Sequence, residues 1–134
     1  MATGSAVLDA SAVVRALQGQ PDAAAWIDRA WAGGAELAAP ELLLVEVANA
    51  LRGYAAQGIL SPGDAGAMLR DVVSGPIEPV PLRLVAGAAL AVAIESGLSA
   101  YDACYVALAE GTGAVLVTAD GKLAAATERA EQLA

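Results

Sequence analysis

Residues 114–120, AVLVTAD, are apolar at successive positions, not alternate ones, and the run ends on an acid. An unbroken apolar run of this length suits a strand covered on both faces, the situation of parallel sheets whose crossover helices lie on either side. A similar run, AVLDAS at 6–11, reaches Asp9 before small polar residues give way to the helical pattern AVVRAL.

The intervening sequence reads accordingly. QPDAAAWIDRAWAGG (20–34) opens with Pro21 and Asp22 in a first helical turn and stops at Gly33 and Gly34, and AELAAP follows as a strand. PELLLVEVANALRGYAAQG (40–58) predicts one long helix from Pro40 to Gly58 with Glu46 in its second turn. SPGDAGAMLRDVVSG (61–75) carries a serine cap followed by proline. IEPVPL is extended, and Pro79 and Pro81 restrict it to a sheet edge or a bridge. Helices are expected over 82–97 and 99–113, the second opening on Ser99, and GKLAAATERAEQLA (121–134) is expected as a final helix. Strands alternating with helices predict an α/β fold. No repeat or linker divides the 134 residues, so one domain over 1–134 is expected.

Composition removes several classes of function. With no histidine and one cysteine, Cys104, a His-based triad, a zinc finger, a zincin and an internal disulfide are all excluded. The longest apolar stretch, 84–94, falls short of the roughly 20 residues of a membrane span. The N-terminus shows no basic region before a long apolar core, so a soluble, cytoplasmic protein is expected. A formal charge of −8 opposes broad electrostatic coating of nucleic acid. It does not oppose a nuclease that meets its polyanion through metal ions and a few basic side chains at one cleft.

Four acids stand out by their surroundings. Asp9 and Asp120 fall at strand C-terminal ends, where ligands bind in such sheets. Glu46 lies in LLLVEVANAL and Asp102 in SAYDACYVAL, among residues expected to face a core. Each has an ordinary explanation: Asp9 as a helix cap, Asp120 as a turn residue before Gly121, Asp102 as a partner of its helix terminus three residues after Ser99. Glu46 is the hardest to explain so, and Asn49, three residues on, is placed to orient it. If the four converge, cations must offset their repulsion, and an oxygen-only ligand set suits Mg²⁺ or Mn²⁺. Metal-dependent phosphodiester hydrolysis uses this chemistry. Ser11 and Thr118 are placed to hold a carboxylate or a water, with capping and strand packing as equal readings. Arg15 and Lys122, and less so Arg52, are candidates for phosphate contacts, with solvated surface charge at least as good an account of each.

VLDASAVV, PELLLVEVANAL, LSAYDACYVALAE and LVTADGKL, in that order and spacing, resemble the PIN-domain nucleases, and most of all the VapC-type toxins of toxin–antitoxin pairs. The resemblance implies a Rossmann-like three-layer α/β/α fold around a mainly parallel sheet. It implies a Mg²⁺- or Mn²⁺-dependent endoribonuclease whose metal-binding, catalytic acids are Asp9, Glu46, Asp102 and Asp120. Its implied partners are an RNA substrate, a second copy of the chain and a VapB-like antitoxin whose C-terminal segment covers the cleft. DNA would be met only through the antitoxin. Family members often end in a further short strand, here expected to be absent or reduced to EQLA.

Other readings compete. A phosphoacceptor receiver domain would need a pair of adjacent acids after the first strand, and a haloacid-dehalogenase-type phosphatase would need an acid where Ser11 stands. An RNA-processing PIN nuclease outside a toxin system, or a PIN fold retained for binding alone, would keep the fold and change the role.

Overall fold

The two runs that end in aspartate become neighbouring strands, and the computed structural model describes residues 4–134 around them. Residues 1–3, the start of the N-terminal segment expected to carry no secretion signal, lie outside the described residues. β1 (Ser5–Leu8) leads through α1 (Ala10–Leu17) and α2 (Pro21–Ala32) to β2 (Glu36–Pro40). α3 (Leu42–Ala56) and α4 (Pro62–Val73) connect to β3 (Ile77–Val80). A 3₁₀ turn at Leu82–Leu84, α5 (Ala86–Ser96) and α6 (Ala100–Thr112) then return the chain to β4 (Val115–Thr118), and α7 (Gly121–Ala125) and β5 (Ala130–Gln132) complete it.

The sheet order is β3-β2-β1-β4-β5, and every pairing is parallel. β1 pairs with β4 through Ala6 with Val115, Val7 with Leu116 and Leu8 with Val117, and all of these but Val115 are buried. That is the two-sided burial the apolar runs called for. β3, with Pro79, lies at the edge, where a missing N–H costs least.

Right-handed crossovers set the layers. From β1 the chain steps through β2 to β3 in one direction, which puts α1 to α4 on one face; it then returns past β1 to β4 and β5, which puts α5 to α7 on the other. α6 packs on β1, β2 and β4, with α5 outside it. Its residues Ala103–Ala109 are therefore buried without a break, and its apolar pattern shows no helical stripe. The stepping direction reverses between β1 and β4, and the crevice at such a reversal is where open α/β sheets bind ligands.

Local signals hold at most ends. Ser61 and Ser99 cap α4 and α6 by accepting from the Asp64 and Asp102 amides, and Gly113 leaves α6 in the left-handed region at φ 70°. Three expectations are corrected. Pro40 ends β2 and does not begin a helix, because its neighbours pair with β3. The helix expected from residue 82 starts at Ala86, after a 3₁₀ turn that follows Pro81. The final helix over 121–134 is only α7; the chain then becomes β5, so the terminal strand exists and spans Ala130–Gln132 rather than EQLA. The Leu116 amide donates to Arg129 O and the Leu133 amide to Thr118 O, both at 2.7 Å, which satisfies an edge of β4 that would otherwise be open. Among the described residues no helix is long and apolar enough to cross a membrane.

Candidate active site

Asp9 follows β1 and serves as the N-cap of α1, with extended backbone angles and 4% exposure. Its Oδ1 accepts from the Ala12 amide at 2.9 Å and from Ser11 Oγ at 2.7 Å, and its Oδ2 accepts from Thr118 Oγ1 at 2.5 Å. Both hydroxyls have a second task. Ser11 Oγ accepts from the Ala119 amide and Thr118 Oγ1 from the Asp120 amide, each at 2.9 Å. A hydroxyl has one proton to donate, and both are directed at Asp9, so the 3.3 Å approach of Ser11 to Thr118 is a contact without a proton between them. The consequence is a link from the β1 carboxylate through two hydroxyls to the backbone that carries Asp120.

Asp120 caps α7, its Oδ1 accepting from the Lys122 amide at 2.8 Å. The turn explanation and the site explanation are thus compatible for Asp120, as the cap explanation is for Asp9. Asp102 opens α6 at the carboxyl edge of the sheet; its amide is held by Ser99, while its carboxylate takes no hydrogen bond among the described residues. Glu46 stands in the second turn of α3, just past the end of β2, and Tyr105 Oη donates to its Oε1.

The electrostatics tie the four together. Burial raises the Asp9 carboxyl above its ordinary value against the pull of its three donors, and Asp120 raises it further. Burial raises Glu46 as well, opposed by the Tyr105 hydroxyl and reinforced by Asp102 and Asp9. Among the described residues no lysine or arginine offsets the raised values of either group. Burial and the neighbouring carboxylates hold the Tyr105 phenol far above its usual range, so it keeps the proton it donates to Glu46, and burial likewise raises the Cys104 thiol.

Among the described residues no three acids stand close enough to form a ready cation cage. The donor chemistry nevertheless fits a hard divalent cation. All four side chains offer oxygen and repel one another, and positive charge is what the cluster lacks.

The expected supporting residues divide. Ser11 and Thr118 hold Asp9 and the β4–α7 turn. Asn49 is exposed and takes no hydrogen bond among the described residues, so it does not orient Glu46; Tyr105 occupies that position instead. Tyr105 was visible in SAYDACYVAL as the one large polar side chain of the buried run, three residues from Asp102, and a buried tyrosine hydroxyl needs a partner. The Arg15 guanidinium donates to Ala134 O at 3.0 Å and to Gln20 Oε1 at 3.4 Å. Arg52 is exposed on α3, and Lys122 is exposed beside Asp120. An apolar hollow of about 380 Å³ between α1, α3 and α4, lined by Val14, Leu51 and Met68 among others, contains none of the four acids.

The PIN domain family model matches residues 6–128. The chain is 36% identical over 120 residues to Ribonuclease VapC3 of Pyrobaculum aerophilum, covering 88% of this chain and 91% of that one. It is 40% identical over 97 residues to Exonuclease VapC9 of the same organism, covering 71% and 70%. Among solved structures it resembles a toxin–antitoxin complex from Klebsiella pneumoniae, with a TM-score of 0.74 at 18% identity over 95% of this chain and 96% of that one.

Proposed function

Because the chain belongs to the PIN-domain family, we propose that it is a metal-dependent endoribonuclease and the toxin of a toxin–antitoxin pair, restraining growth until an antitoxin neutralises it. One observation carries this reading: Asp9 is a buried carboxylate fixed by three donors at the β1/β4 reversal, with Asp120, Glu46 and Asp102 within its electrostatic reach or that of Glu46. An oxygen donor held in one orientation beside three other acids suits a ligand of a hard divalent cation.

Asp9, Glu46, Asp102 and Asp120 would hold Mg²⁺ or Mn²⁺. A bound divalent ion supplies acidified water and charge stabilisation at the phosphodiester. The chain's own residues do the rest. Ser11 and Thr118 hold Asp9 in one orientation and keep the Asp120 turn in register with it. Asp102, half-buried near the start of α6 with its carboxylate unpartnered among the described residues, would complete the ligand set, and the exposed Lys122 would meet an RNA phosphate. Arg15 serves in that way only after leaving Ala134.

Substituting Asp9→Ala or Asp102→Ala is expected to lower Mg²⁺-dependent cleavage of RNA by at least about a hundredfold and to relieve growth arrest on expression. Full activity in either variant would remove the site assignment. A circular RNA, which has no ends, separates endonucleolytic cutting from the exonuclease activity named for one relative: cleavage of the circle is expected. Cleavage without growth arrest would instead favour an RNA-processing role, and RNA binding without cleavage a binding module.

The same reading gives a single functional unit over 1–134, acting on RNA in the cytoplasm, with an antitoxin as protein partner and DNA reached only through it. It also gives a homodimer. α5 supports that part, since between residues 84 and 94 there is no charge and Leu84, Leu90 and Ile94 are exposed.

A further inference from the structure

Nothing in α3 itself orients Glu46. It is half-buried on the second turn, its neighbour Asn49 points to solvent, and a glutamate left alone samples many rotamers. Among the described residues its side-chain hydrogen bond comes from Tyr105, on the helix of the opposite layer. Tyr105 is 1% exposed, among the largest fully buried side chains, and its ring is locked by the packing of α6 against the sheet. Its hydroxyl has no other partner among the described residues. It also lies one helical turn from Asp102. We propose that Tyr105 is the positioning residue for Glu46: by donating to Oε1 it leaves Oε2 as the single oxygen presented to a divalent cation, so that one turn of α6 sets both Asp102 and Glu46. This rests on the reading of Glu46 as a metal ligand. The physical basis is general, since the outer partners of a ligating carboxylate fix its orientation and removing one weakens metal binding.

The test is a cycle of Tyr105→Phe, Glu46→Ala and the double variant in the full chain, with Mn²⁺ binding measured by calorimetry and metal-free melting followed in parallel. Tyr105→Phe keeps the ring that packs the core, so the metal-free melting temperature should change little. Mn²⁺ affinity should fall by about ten- to a hundredfold. With Glu46→Ala already in place, Tyr105→Phe should have no further effect on affinity, because the two act as one. Wild-type Mn²⁺ affinity in Tyr105→Phe, beside a clear loss in Glu46→Ala, would overturn the positioning role while leaving the ligand. So would losses that add in the double variant, or a Tyr105→Phe protein that melts earlier but binds Mn²⁺ as before. Unchanged affinity in Glu46→Ala would instead defeat the ligand assignment on which the role depends.

Discussion

At the scale of the residue, Asp9 shows why a cap and a catalytic ligand need not be rival explanations. The N-terminus of α1 and the two hydroxyls hold the carboxylate as an anion, while burial and Asp120 oppose its charge, and opposition dominates. Asp9 and Glu46 both titrate above their ordinary values in the fold, so the folded chain retains protons that the unfolded chain has released. Stability from these two groups is therefore greatest at low pH and declines as pH rises from about 4 through their folded values. In chelator at pH 7, Asp9→Asn should melt no earlier than wild type and a few degrees later if the penalty is fully expressed, with the gap closing toward pH 5. Mg²⁺ should raise the melting temperature of wild type alone. A wild type clearly more stable than Asp9→Asn at pH 7 without metal would contradict this account. The four acids were legible one by one, as charges in apolar surroundings. Tyr105 was not assigned, since its reach to Glu46 spans 59 positions of chain and depends on the two layers meeting.

At the scale of the element, the well-read helices are those with chemical punctuation: Ser61 before Pro62, Ser99 before Ala100, glycine after α6. The segment after α7 has none. Ala130, Glu131 and Gln132 favour helix over strand by intrinsic preference, and the open edge of β4 overrides them because the Leu116 amide and the Thr118 carbonyl need partners. Leu133 anchors the result as a buried side chain. Leu133→Ala should cost about 2–3 kcal/mol in urea unfolding. It should also loosen the β4–α7 turn next to Asp120, since the Leu133 amide bonds Thr118 O. A loss well under about 1 kcal/mol would show that β5 adds little to the sheet.

At the scale of the whole molecule, α6 is buried without a break from Ala103 to Ala109 while α5 shows only Ala89 buried along its own length, with Leu90 57% and Ile94 77% exposed. An uncharged face suits an equally uncharged one, as a two-fold related copy supplies. For the proposed homodimer, Ile94→Lys is expected to give a monomer in sedimentation analysis without lowering the melting temperature; a wild type that is itself monomeric would remove the dimer reading, and a variant that stays dimeric would put the contact elsewhere. The sequence by itself pointed to the parallel sheet, because runs apolar on both faces that alternate with helical segments suit strands covered on both sides by crossover helices. It also determined the edge place of the proline-bearing strand and the four acids that had to be accounted for. Only the tertiary structure decided what those acids meet. The hydroxyls of Ser11 and Thr118, the phenol of Tyr105 and the fifth strand all act across large separations in the chain, where local preference carries no information and the partner appears only once the layers have closed.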